Sequence, residues 1–132
     1  MIVFACVDDN FGLCFNKRRQ SRDKLVYERI YEIIGDKKLY ITEFSKDLFK
    51  EDKIIVKKEA VLSDNEEAFF FIENEIPKNL VNAEKIILFF WNRNYPYDFK
   101  FPLPDCFNEV SRYEFKGNSH DKIMEITYEK NI

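Results

Sequence analysis

Two short apolar runs constrain the fold of this chain more than any other feature of its sequence. Ile2–Val7 and Ile86–Phe90 contain almost no polar side chains, and both are far too short to span a bilayer. Runs of this length that are rich in Val, Ile and Phe are typical of strands covered on both faces. We therefore predict that both lie at the centre of one sheet with helices packed on it.

A helix is predicted after the first of these strands. Ser21 is a suitable N-cap residue for it, and the periodic pattern ends at Ile34. The apolar side chains that share one face of this helix are Val26, Ile30, Ile33 and Ile34. We expect that face to be buried against the sheet.

Further strands and helices are predicted along the rest of the chain. The predicted strands cover residues 38–42, 54–56, 68–72, 97–103 and 110–116. A short strand or hairpin is expected within residues 11–15, a short helix after residue 42, and a last helix after Ser119. This order predicts an α/β or α+β domain over residues 1–132, with a single mixed sheet and two to three helices packed on it.

The composition favours one domain and excludes several kinds of site. Of the 132 residues, 45% are hydrophobic, and only 3 Gly and 4 Pro interrupt the chain, so no linker divides it. The three cysteines form no C-x-x-C pair and there is a single histidine, so we expect neither a metal site nor a cofactor. The lack of a leader-like or membrane-spanning segment predicts a cytoplasmic protein with reduced thiols.

The sequence contains no familiar catalytic signature, but two polar segments are candidates for binding. The first places Arg18, Arg19 and Arg22 in a loop before the predicted helix. Arginine side chains in such a loop can grip phosphate groups, and the helix N-terminus adds backbone donors. The alternative is a solvated loop whose charges pair with surface carboxylates.

The second candidate segment directly follows the more hydrophobic of the two central strands. It contains Trp91, Asn92 and Arg93. Aromatic rings beside Arg and Asn suit stacking on bases, and they suit a protein–protein hot spot equally well. The remaining interpretation is a turn whose aromatic rings fill the edge of the core.

His120 is the candidate catalytic residue. It follows Ser119 in the first turn of the predicted last helix, where the helix dipole disfavours the imidazolium ion. A neutral imidazole at that position can act as a general base. The alternative is an ordinary surface or capping histidine.

Three segments of the chain carry a resemblance to a known family. They are residues 7–23 (V-D-D-N-F-G-L-C-F-N-K-R-R-Q-S-R-D), 91–96 (W-N-R-N-Y-P) and 114–123 (E-F-K-G-N-S-H-D-K-I). They are similar to the corresponding segments of a family of small bacterial proteins that is often mislabelled ribonuclease Z. True ribonuclease Z binds two zinc ions through an H-x-H-x-D-H motif and further histidines. A chain with one histidine cannot build that site, so the label implies nothing about activity here.

The opening of the chain also resembles a second family. Residues 5–8 (A-C-V-D), followed by Gly12 and by Phe15-Asn16, look like the first strand and loop of dihydrofolate reductase. This resemblance implies the strand–loop–helix–strand order of that enzyme. The Pro-Trp pair after the loop and the glycine-rich cofactor turns are absent, so the resemblance concerns the fold and not the chemistry.

Three functions are compatible with these features. The first is a binding protein, an inhibitor or immunity-type factor in bacterial defence or counter-defence, whose partner is another protein. Since the net charge is −3, a basic, nucleic-acid-acting protein is a suitable target. The second is a metal-independent RNA-binding or RNA-cleaving protein that uses the arginines and His120. The third is a reductase-like ligand binder with a pocket between the first strand and the first helix. The first is favoured over an enzyme, and no membrane partner is expected.

Overall fold

The computed structural model describes residues 1–62 and 68–131. Its α-helix and strands are, in chain order, β1 (Ile2–Val7), α1 (Lys24–Ile34), β2 (Leu39–Thr42), β3 (Ile54–Lys57), β4 (Phe69–Phe71), β5 (Lys85–Phe90), β6 (Phe107–Phe115) and β7 (Ile123–Lys130). Three short 3₁₀ helices cover Glu43–Leu48, Glu51–Lys53 and Leu80–Asn82. The first of them occupies the place of the short helix predicted after residue 42.

All seven strands form one mixed sheet in the order β3-β2-β4-β1-β5-β7-β6. The five strands from β3 to β5 are parallel to one another, whereas β7 runs antiparallel to both β5 and β6. The predicted fold class, a single mixed sheet with helices packed on it, is confirmed. The two apolar runs lie side by side near the middle of the sheet, as predicted.

The sheet has a hydrophobic core on each face. Phe4 of β1 points to the core under α1, while Val3 and Ala5 point to the opposite core, as expected for alternating side chains. Loop residues such as Leu62 and Phe101 contribute to that opposite core. Coverage on both faces explains why β1 and β5 are continuously apolar.

Helix α1 packs on the sheet through the face that its sequence predicts. Val26 and Ile30 are fully buried and Ile34 is almost so, but Ile33 is only partly buried at the margin of that core. The predicted N-cap, Ser21, is wrong. The cap is Asp23, whose carboxylate accepts a hydrogen bond from the N–H of Leu25 at 3.0 Å.

Two predicted elements are wrong. Residues 123–130 form strand β7, not a helix. Ile123 and Ile126 are both buried, but in the opposite cores of the sheet; buried residues on both faces of a strand can imitate helical spacing. Residues 97–103 form a loop that makes one isolated bridge, between Gly12 and Lys100.

Among the described residues, no helix is long and apolar enough to cross a membrane.

Candidate functional site

The three segments that resemble one family meet beside the carboxyl ends of β1 and β5. The N–H of Trp91, the residue after β5, donates to the carbonyl of Val7 at 3.0 Å. The turn between β6 and β7 brings in His120, whose ring stacks on Trp91 with centroids 4.7 Å apart. Both rings are buried, so they form part of the core and do not present contact surface.

Asp8 joins the first loop to the turn after β5. It is fully buried, and its carboxylate accepts hydrogen bonds from the N–H groups of Asn10, Gly12 and Tyr95 at 2.7 to 3.0 Å. The N–H of Asp9 donates to the carbonyl of Arg93 at 2.9 Å. These bonds fix both loops to each other.

An aspartate cluster, consisting of Ser21, Asp23, Trp91, Ser119 and His120, lies at the start of α1. Besides capping α1, the Asp23 carboxylate accepts hydrogen bonds from the N–H groups of Asn118 and Ser119, each at 2.9 Å. It also faces Nδ1 of His120 at 3.0 Å. Gly117 permits this approach, because a Cβ at that position would collide with the Asp23 carboxylate.

The hydrogen bonds of the aspartate cluster determine its electrostatics. Burial by itself raises the pKa of Asp23, but the donors from Asn118, His120, Ser119 and Leu25 outweigh burial and hold that pKa below its usual value. An ionised Asp23 favours the proton of a neutral His120 on Nδ1. Nε2 is then the acceptor that faces the Ser21 hydroxyl at 3.0 Å.

The structure corrects the predicted position of His120. The residue lies in the β6–β7 turn and not in the first turn of a helix of its own. Its two ring nitrogens face Ser21 on one side and Asp23 and Ser119 on the other. Neither nitrogen is therefore directed at solvent.

An arginine cluster, consisting of Arg19, Ser45, Asp47 and Glu73, lies beside the end of β4. Arg19 makes a two-bond contact with Glu73 at 2.7 and 2.8 Å and contacts both carboxylate oxygens of Asp47 at 3.2 Å. Ser45 donates to Glu73 at 2.7 Å. Burial lowers the pKa of Arg19, but the bonds and charges of Glu73 and Asp47 outweigh burial and raise that pKa above its usual value. The donors of Arg19 are thus used within the protein.

The other predicted binding residues remain at the surface. Arg22 is 61% exposed and lies 3.7 Å from Asp47. Arg18, Asn92 and Arg93 are exposed, and the guanidinium of Arg93 contacts the carbonyl of Asn92 at 3.2 Å. The seven predicted site residues therefore divide into an exposed group of four and an inward group made up of Arg19, Trp91 and His120.

Sequence reasoning missed three residues that organise these two clusters: Ser21 as a partner of His120, Asp23 and Glu73. An acidic residue before an apolar helix is an N-cap signal, so Asp23 could have been found. Glu73 carried no signal, because its partner Arg19 is 54 residues away in the chain.

A small cavity lies beside the carboxyl end of β1, next to the loop that leads to α1. Its volume is about 20 Å³, enough for a single water molecule. Its lining consists of Cys6, Leu13, Cys14, Arg19, Gln20, Ser21, Glu73 and Trp91. A pocket was expected between β1 and α1, but only β1 contributes to this lining, through Cys6. Burial raises the pKa of the Cys6 thiol and raises that of Cys14 to about 11, so neither thiol is a reactive thiolate at neutral pH.

A larger groove of about 560 Å³ opens at the surface next to this cavity. One wall is a hairpin in which Phe15 and Arg18 exchange backbone hydrogen bonds of 2.8 and 2.9 Å. Its two turn residues, Asn16 and Lys17, have positive φ angles of 51° and 62°, the backbone of a type I′ turn. The Asp98 carboxylate accepts the N–H groups of both turn residues at 3.0 and 2.9 Å. The opposite wall contains Tyr95 and Pro96.

Among residues 1–62 and 68–131, no group of three or more His, Cys, Asp or Glu side chains is placed to hold a metal ion.

Comparisons with known proteins bear on the fold. No protein-family model matches the chain, and no curated protein matches it in sequence. A solved structure, dihydrofolate reductase from Enterococcus faecalis complexed with NADP(H) and RAB-propyl, matches it with a TM-score of 0.67 and 10% identity. The match covers 100% of this chain and 97% of that chain. This protein therefore has the fold of dihydrofolate reductase.

Proposed function

We propose that this chain is a binding protein that recognises another protein through a contact surface made of the hairpin 15–18 and the turn 93–97. The observation that carries this proposal is the Asp98 clamp, which holds the exposed hairpin turn by two backbone N–H groups. A clamped turn loses little conformational entropy when a partner binds, so its contacts contribute more fully to affinity.

The contact surface has the composition of a protein–protein hot spot. Phe15 is 41% exposed and Tyr97 is 38% exposed, and Arg18 lies on the same hairpin as Phe15. Aromatic and arginine side chains dominate the binding energy of protein interfaces. Exposed aromatic rings on a fixed backbone offer a partner a large contact area at a low cost in side-chain entropy.

Gly12 supports the position of one of these rings. A Cβ at Gly12 would lie 2.7 Å from ring atoms of Tyr97, so only glycine lets the ring pack on the backbone there. The Lys100 ammonium group lies 5.7 Å from the centre of the Tyr97 ring. Tyr97 is thus held in place before any partner arrives.

The charges of the contact surface indicate the chemistry of the partner. Lys17, Arg18 and Arg93 are exposed around it, in a chain whose net charge is −3. An acidic patch on the partner would complement this surface and speed association. An inhibitor or immunity-type role in bacterial defence or counter-defence fits a small domain of this kind. A target that is basic overall would meet the contact surface through a local acidic patch.

Two observations make the other functions less suitable. A reductase-like ligand beside the end of β1 would have to enter the cavity of about 20 Å³, which is far below the usual range of roughly 300–1,000 Å³ for small-molecule sites. The groove of about 560 Å³ is formed by the hairpin 15–18 with Tyr95 and Pro96, and β1 does not line it. For an RNA-cleaving cleft, Arg19 is occupied by two carboxylates and both nitrogens of His120 have partners. RNA binding stays a prediction for the exposed residues Arg18, Arg22, Asn92 and Arg93.

Affinity capture with variants tests the proposal. The tagged protein is used as bait in an extract of its own host, and the retained protein is then purified for calorimetric titration. We expect Phe15→Ser and Arg18→Glu each to weaken its binding by about 30-fold, the effect of losing a hot-spot contact of about 2 kcal/mol. Lys116→Glu, a charge reversal at an exposed position outside the contact surface, serves as the matched control and should leave affinity unchanged.

A parallel titration with single-stranded RNA separates the two macromolecular partners. Salt-dependent RNA binding that is lost in Arg18→Glu and Arg93→Ala would replace the protein-binding proposal with the nucleic-acid alternative. Equal weakening by Lys116→Glu and Arg18→Glu would show that the contact surface is elsewhere.

A further inference from the structure

We propose that Ser21 is a nucleophile activated by His120 and Asp23, and that it accepts small acyl groups from activated esters. The Ser21 hydroxyl lies 3.0 Å from Nε2 of His120, and Nδ1 of the same ring lies 3.0 Å from the Asp23 carboxylate. This is the sequence of contacts through which a serine hydroxyl gives up its proton during attack.

The acid member of this relay is fixed by the backbone. Asp23 has no exposed side-chain surface, and N–H groups of Leu25, Asn118 and Ser119 hold its two oxygens in place. A carboxylate that is held this way stays ionised, and it stabilises the imidazolium that forms when His120 accepts a proton.

The histidine is fixed by stacking. Its ring packs on Trp91 with an angle of 23° between the planes, and its side chain is only 4% exposed. The ring therefore does not need to reorganise before it accepts the proton, which is the condition for efficient general-base catalysis.

Access to Ser21 determines the class of substrate. Ser21 lines the cavity of about 20 Å³, while Arg19 and Gln20 line both that cavity and the neighbouring groove of about 560 Å³. The cavity itself holds only about one water molecule, so the acyl group has to reach Ser21 from the groove, which favours the smallest acyl groups, such as acetyl. The groove has Phe15 and Arg18 in its walls. It therefore suits an aromatic leaving group whose oxygen develops negative charge while its bond to the acyl carbon breaks.

The proposed reaction has two steps. The Ser21 O–H bond breaks as its proton moves to Nε2 of His120, and the oxygen forms a bond to the ester carbonyl carbon. The bond to the leaving group then breaks, and the leaving oxygen takes the proton from His120. In the second step a water molecule gives a proton to His120 while its oxygen forms a bond to the acyl carbon. The bond between that carbon and Oγ of Ser21 then breaks, the carboxylic acid leaves, and Oγ takes the proton back from His120.

The first experiment uses the intact protein and p-nitrophenyl acetate. We expect p-nitrophenol release together with an acetyl mass increase that peptide mapping assigns to Ser21. Ser21→Ala and His120→Gln should each lower the rate of release by about 100-fold, the lower limit for general-base assistance. Ser111→Ala, at an exposed serine on β6, should leave the rate unchanged, and thermal melting should confirm that each variant is folded.

The second experiment does not depend on a variant folding. The wild-type protein is treated with a small alkyl fluorophosphonate, and the modified residue is identified by mass spectrometry. Modification at Ser21 supports the proposal. Modification only at other residues, no modification under conditions in which the protein stays folded, or an unchanged ester rate in folded Ser21→Ala would overturn it.

Discussion

The arginine cluster and the aspartate cluster both lie beneath the loop of residues 8–22, yet they satisfy buried charge in different ways. In the arginine cluster, the guanidinium of Arg19 depends on the side chains of Glu73 and Asp47. In the aspartate cluster, three of the partners of Asp23 are backbone N–H groups. A single side-chain change at either end breaks the arginine cluster. The aspartate cluster keeps its backbone donors unless Asp23 itself is changed or a side chain is added at Gly117.

This difference gives the two clusters different structural roles. Because the donors to Asp23 are backbone groups, its contacts fix the β6–β7 turn against the start of α1. Side-chain partners of Arg19 compensate for its burial, and removing one partner leaves the other charge unpaired in a poorly solvated place. The variants below test this distinction in order of expected effect.

The largest effect is expected for Arg19→Met. It leaves Glu73, whose side chain is 9% exposed, without its main counter-charge, which typically costs about 3–5 kcal/mol. Urea unfolding measures the loss. The double variant Arg19→Met/Glu73→Gln should be more stable than the single one, because it removes both charges; a double variant that is less stable than Arg19→Met would show that the pair is not the source of the effect.

Ile30→Ala shows how much stability is lost when only apolar packing is removed, on the same side of the sheet as the clusters. Ile30 is fully buried, so its truncation should cost about 2–4 kcal/mol through lost burial and a residual cavity. Ile33→Ala is the matched control and should cost less than about 1.5 kcal/mol, because Ile33 is only partly buried. Equal losses of stability in the two variants would mean that the buried face of α1 is misassigned.

Asp23→Asn should destabilise the protein by about 2–3 kcal/mol at pH 7, because charge-assisted bonds to the carboxylate are lost. The effect should depend on pH. Since the folded-state pKa of Asp23 is below its unfolded value, near 3.9, its stabilising contribution is present above about pH 4. That contribution is lost as pH falls through the folded-state pKa.

Acid titrations of stability check the Asp23 prediction. Wild-type stability should fall more steeply below about pH 4 than that of Asp23→Asn, so that the two curves approach each other. Parallel curves over this range would contradict the assignment of the low pKa to Asp23.

Arg22→Met should have the smallest effect and sharpens the contrast with Arg19. Both arginines are within reach of Asp47, but Arg22 is 61% exposed and 3.7 Å away. A solvent-screened pair of this kind contributes less than about 0.5 kcal/mol. A loss of stability comparable to that of Arg19→Met would show that exposure does not distinguish the two.

The centre of the fold could be predicted from the sequence, but its polar organisation could not. Continuous burial leaves a clear signal in β1 and β5, because both faces of each strand demand apolar residues. The same double coverage made β7 resemble a helix, since Ile123 and Ile126 are buried on opposite faces. The sequence singled out segments 18–22, 91–93 and His120, and these segments do meet, but it could not distinguish an inward Arg19 from an outward Arg18. That distinction depends on Glu73, which reaches Arg19 only after the sheet has formed.

The central position of β1 has a consequence for folding during synthesis on the ribosome. Both neighbours of β1, namely β4 and β5, come late in the chain, and the second pairing is complete only at Phe90. At about 5–20 residues per second, the most apolar early segment waits on the order of ten seconds for its partners. During that interval the apolar segment Ile2–Val7 has no strand to pair with and is exposed to aggregation. Chaperone contacts and temperature during synthesis should therefore affect the yield of folded protein more strongly than its final stability predicts.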